Sequence, residues 1–70
     1  MAHRTYRVTE IVGSSPEGGD AAIRNGIDRA ARTIRHIDWF EVTQVRGFVK
    51  DGRADHFQVG LKVGFRLEDV

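Results

Sequence analysis

Residues 57–67 alternate without a fault. Phe57, Val59, Leu61, Val63, Phe65 and Leu67 are apolar, and Gln58, Gly60, Lys62, Gly64 and Arg66 sit between them. A period of two sends these sets to opposite faces of an extended chain. The same run would scatter its apolar residues around a helix, whose stripe recurs every three or four positions. It therefore dictates a strand, Arg53 to Leu67, with one face that must be kept dry. Asp51-Gly52, just upstream, is a strong two-residue hairpin signal, so Trp39 to Lys50 reads as the antiparallel partner. Tyr6 to Val12, short and rich in β-branched residues, reads as a first strand.

The cover for the dry face lies between these strands. From residue 18 to residue 36, and on to Ile37, the apolar positions Ile23, Ile27, Ala30, Ile34 and Ile37 are spaced by four and three, one stripe of an amphipathic helix. Gly13 to Gly19 reads as a loop. Ser14 or Ser15 is placed to cap the helix, with Pro16 near its first turn and Glu17 and Asp20 at its positive end. Asp20–Arg24, Arg24–Asp28 and Asp28–Arg32 are opposite charges four apart, together worth about 1 kcal/mol. Gly26 inside the helix costs about 1 kcal/mol. It is either a point of close backbone approach or a tolerated defect. The order is β-α-β-β, an α+β fold: a three-stranded antiparallel sheet with one helix on one face, in a single domain spanning residues 1–70.

Seventy residues without cysteine cannot be stapled by disulfides, and a chain this short is marginal alone. His3, His36 and His56 lack the spacing of a metal site. Oligomerisation is the remaining source of stability. A net charge of +1 is no electrostatic footprint for nucleic acid or an anionic membrane. No apolar run reaches membrane-spanning length and the N-terminus lacks a signal-peptide core, so residence in the cytoplasm is expected. Gly13 to Gly18 has the outer spacing of a phosphate loop, but Gly19-Asp20 stands where Lys-Ser/Thr is needed. No Ser/His/Asp set or carboxylate pair assembles, so no enzyme is expected and no catalytic residue is assigned.

One helix covers one face of a sheet. A two-residue turn at Asp51-Gly52 pairs residues whose numbers sum to 103. That puts Trp39 opposite Gly64 and Val45 opposite Gln58, both on the face away from the helix. In this register Arg46 falls on the helix side, unless a bulge in the second strand turns it over. The second face then carries an indole and glycines, and nothing in the chain covers it, which points to a partner or a ligand. An indole offers a flat π-face for a planar ligand, and equally an aromatic for a subunit interface. Trp39 and Gln58 lie about 20 Å apart along the ladder. A small ligand that used both would have to sit between copies of the chain.

Glu10-Ile11-Val12-Gly13-Ser14-Ser15, Ala30-Ala31-Arg32-Thr33-Ile34, Asp38-Trp39-Phe40-Glu41-Val42 and Val63-Gly64-Phe65-Arg66-Leu67, in this order and with Gln58 in place, resemble the dodecins over about residues 5–68. The resemblance implies a hollow homododecamer that binds flavins, with isoalloxazine rings held in pairs between tryptophans at subunit interfaces. It assigns the platform to Trp39 and the hydrogen bonds to the flavin's pyrimidine edge to Gln58. It puts Arg46 near the phosphate of FMN, with Arg66 assisting and Asp38 bordering the pocket. Riboflavin, FMN and FAD share the ring, and Arg46 tilts the choice to a phosphorylated form. Some members also bind coenzyme A, for which Arg29, Arg32 and Thr33 are the matching positions. The residue types suit these roles: an indole stacks on and donates electrons to an excited flavin, a carboxamide offers a donor beside an acceptor, and arginine presents a fork. Three readings follow. The first is a flavin store that sequesters and quenches. The second, a flavin enzyme, ranks below it because paired rings leave no room for a substrate. The third is a non-catalytic oligomeric module, binding coenzyme A or no small molecule.

Overall fold

The chain runs β1 (Tyr6–Ser15), α1 (Gly19–Ala30), β2 (Ile37–Lys50) and β3 (Arg53–Arg66) in a computed structural model that describes residues 3–68. The strands form one antiparallel sheet in the order β1-β3-β2. The strand with the strictest alternation thus takes the centre, where a neighbour on each side completes its ladder. Its odd-numbered residues face the helix. Val59, Leu61 and Val63 are 0% exposed, Ala22 of α1 is equally buried, and Ile11, Ile23, Ile27 and Ile37 pack around them. Asp51 and Gly52 both have positive φ, 53° and 73°, the type I′ turn that matches the twist of a hairpin.

Gly26 settles as the close-approach site. A Cβ there would lie 3.1 Å from the Cα of Gly13, and a Cβ at Gly13 would overlap the carbonyl of Ala22. Two glycines thus let α1 lie directly on β1, and α1 rests on β1 and β3. Beyond Ile37 it leaves the far strand uncovered: Phe40, Val42 and Val45, on the helix side of β2, stay exposed. The β2–β3 hairpin also runs past the end of β1, which pairs only as far as Phe57. The result is a slab of 55 × 20 × 14 Å.

The structure corrects several local expectations. β1 continues through Gly13 to Ser15, so the expected loop shrinks to Pro16–Gly18. Neither Ser14 nor Ser15 caps the helix. Gly18 holds that position with φ 146°, and Ser15 Oγ instead accepts from the Glu17 N–H at 3.0 Å. The helix stops at Ala30, not residue 36. Arg32 N–H turns to Arg29 O (3.2 Å), Thr33 N–H and Ile34 N–H both turn to Ala30 O, and His36 at φ 63° redirects the chain into β2. The stripe of four-and-three steps outlives the helix because Ile37, from the start of β2, joins the same core. Among the described residues, none of the expected helix charge pairs closes to 4.0 Å. Val45 pairs with Val59 rather than Gln58.

Candidate functional site

The face away from the helix presents Tyr6, Val8, Glu10, Val12 and Ser14 from β1 against the even-numbered residues of β3. On the other flank stand Trp39, Glu41, Gln44 and Arg46 of β2. Trp39 pairs with Gly64, as the register expects. A Cβ at Gly64 would overlap the indole, so the ring lies flat on glycine backbone. Its other face is open and the residue is 40% exposed.

The indole end of the face holds a small polar network. Tyr6 Oη donates to Asp38 Oδ2 at 3.0 Å, and the Tyr6 and Trp39 rings are 6.5 Å apart and inclined at 52°. Arg66 Nη2 donates to His36 Nδ1 at 3.1 Å. Guanidinium has no lone pair to accept with, so this contact puts the His36 proton on Nε2, which points at Glu68 Oε2, 3.6 Å away. The Arg66 N–H also donates to His36 O at 2.9 Å. Arg66 is therefore tied down twice by one residue.

The opposite end holds the amide and the second guanidinium. Here the strict register fails in an informative way. β3 gains one unpaired residue, Asp55, and β2 gains another, Thr43. Between these two bulges the pairing moves by one. Arg46 therefore turns off the helix side and faces Gln58, donating Nη1 to its Oε1 at 3.4 Å while Nη2 donates to Gln44 Oε1. Gly60 gives the Thr43 bulge its room: a Cβ there would sit 2.9 Å from Thr43 Oγ1. The second bulge cancels the first, which is why Trp39 still meets Gly64.

So the sequence-predicted residues form two clusters at opposite ends of one bare face: Trp39, Asp38 and Arg66 at one, Gln58 and Arg46 at the other. Six steps along β3, from Gln58 to Gly64, separate them, about 20 Å of strand. Of the three coenzyme A candidates, Arg29 and Thr33 line one groove of about 350 Å³ along the helix with Ile11, Gly26 and Ile34, and Arg32 is not part of it. Sequence reasoning missed Tyr6, Gln44 and His36. A β1–β3 register would have found Tyr6, but no tight turn sets one. The other two depend on a bulge and on a left-handed residue. Among the described residues, no three His, Cys, Asp or Glu are grouped to hold a metal ion, and no helix is long and apolar enough to cross a membrane.

Comparison with known proteins converges on one family. The family model described as Dodecin matches residues 5–68. A curated dodecin of Thermus thermophilus is 47% identical over 67 residues, 96% of this chain and 97% of that relative. The solved dodecin from Streptomyces davaonensis is 60% identical with a TM-score of 0.95, over 97% of this chain and 100% of the other. The dodecin from Streptomyces coelicolor is 61% identical with a TM-score of 0.93, over the full length of both.

Proposed function

The chain belongs to the dodecin family, and from that membership we propose that it is a non-catalytic flavin store, holding the cofactor between copies of itself in a homododecamer. One observation carries the reading. The Trp39 indole lies against Gly64 with its outer face open, on a sheet face that no element of its own chain covers. The Gln58–Arg46 pair lies six residues further along β3, so a complete site takes its platform from one copy and its amide from another.

A bound isoalloxazine supplies an electron-poor ring and a light-absorbing state for the indole to quench. The chain's own residues do the rest. Trp39 offers the stacking surface, worth about 1–3 kcal/mol for a planar heterocycle. Gln58 offers a donor and an acceptor side by side. Arg46, already oriented by Gln44 and Gln58, offers N–H groups to a phosphate, which favours FMN over riboflavin. Arg66 and Asp38 border the platform.

The test is a fluorescence titration of riboflavin, FMN and FAD against the pure protein, with its mass measured in the same buffer. The expected result is quenching to a sharp stoichiometric end point by a particle twelve times the 7.9 kDa chain. Flavin that stays fluorescent, or a stable monomer, would overturn the reading. A second reading, coenzyme A as an additional ligand, draws on the groove shared by Arg29 and Thr33, where a cation borders an apolar floor.

A further inference from the structure

We infer that Tyr6 is the positioning residue of the Trp39 platform: its ring and its hydroxyl hold Asp38 and Trp39 from across the central strand. Tyr6 is on β1 and Trp39 on β2, with β3 between them. Neighbouring strands lie about 4.8 Å apart, so side chains two strands apart do not ordinarily touch. These two approach because Gly64, on the intervening strand, has no side chain on this face. The indole fills that space, and Tyr6, paired with Arg66 one step along the face, leans in beside it. The ring centroids are 6.5 Å apart at 52°, within the range of favourable tilted aromatic pairs.

The hydroxyl adds a second anchor. Tyr6 Oη donates to Asp38 Oδ2 at 3.0 Å, and Asp38 is the residue that β2 leaves unpaired between Ile37 and Trp39. A bulged residue has lost its place in the ladder, so a charge-assisted hydrogen bond there restrains the backbone from which the indole springs. Without Tyr6, the indole would lose that lateral neighbour and rest on the Gly64 backbone from an edge strand. Holding it in one orientation before a ligand arrives removes an ordering cost from binding.

The claim about the indole stands independently of the ligand; the claim about affinity rests on the flavin reading. Tyr6→Phe keeps the ring and removes the hydroxyl. In the ligand-free assembly, time-resolved anisotropy of the single tryptophan should show a larger amplitude of fast local motion in Y6F, with mass and unfolding midpoint unchanged. Asp38→Ala should produce the same loosening, and the Y6F/D38A double variant should be no looser than either single one, because both remove one bond. Riboflavin affinity of Y6F should fall about two- to tenfold, the range for one lost hydrogen bond at an exposed position. Unchanged indole motion in Y6F, or additive loosening in the double variant, would overturn the inference. A wild-type protein that binds no riboflavin would instead remove the flavin reading, leaving Tyr6 to be judged on anisotropy alone.

Discussion

The two faces of β3 are built from one alternating run and meet opposite fates. Its odd-numbered side is sealed at its centre: Val59, Leu61 and Val63 are fully buried beneath α1. Its even-numbered side carries Gln58, Gly60, Lys62, Gly64 and Arg66 with no layer above them. The difference lies in what each face is given to pack against. The odd side meets a helix seated by Gly13 and Gly26, while the even side meets an indole and open space. One strand therefore serves both as core and as candidate site, with parity deciding which. Substitutions at odd positions should act on folding and those around the even face on ligand binding.

The largest break in that division should come from the core. Leu61→Ala removes a fully buried side chain from the centre of the sheet, for a loss of about 2–5 kcal/mol, a large part of the usual stability of a small domain. Denaturant unfolding at fixed protomer concentration reads it. A loss below about 1 kcal/mol would show that the helix side is not where stability resides. On the other face, Trp39→Ala should leave a folded assembly of unchanged mass but abolish quenching and cost about 2–4 kcal/mol in flavin affinity, as truncation of a central aromatic does. Unchanged binding would remove the platform assignment. Gln58→Ala sharpens the comparison at smaller scale: affinity should weaken by about 1–2 kcal/mol in the same titration, with the unfolding midpoint held. A shifted midpoint without a change in affinity would place Gln58 among structural residues.

These contrasts also mark what the sequence makes legible. β3, the Asp51-Gly52 turn and the β-α-β-β order are readable because each rests on local periodicity or turn chemistry. The pairing of Trp39 with Gly64 is readable too, but for a reason the sequence hides: the bulges at Asp55 and Thr43 cancel. Between them the strict count misplaces Arg46 and Val45, since a bulge costs one unpaired residue and leaves no signature in composition. The helix end is hidden because Ile34 and Ile37 prolong its stripe after the backbone has left it. Tyr6 is hidden because α1 and β2 both intervene between β1 and β3 in the chain, so no tight turn sets the register of that pair. The family resemblance supplied the ligand class and the roles of single residues, which periodicity alone does not reach.

The smallest effect should come from Arg46, and it tests the region between the bulges. Its guanidinium is exposed and bonded to Gln44 and Gln58, so Arg46→Ala removes little buried area and should scarcely move the unfolding midpoint. Its proposed partner is a phosphate, which riboflavin lacks and FMN carries. The variant should therefore lower FMN affinity by about 1 kcal/mol, the scale of a screened surface ion pair, and leave riboflavin affinity nearly unchanged. The wild-type preference for FMN should also shrink as salt is raised from low concentration, because exposed charges are screened within about 10 Å at 0.1 M. Riboflavin and FMN losing affinity equally in Arg46→Ala would mean that this side chain acts by orienting Gln58. The pairing shift between Asp55 and Thr43 would then serve the amide rather than the phosphate.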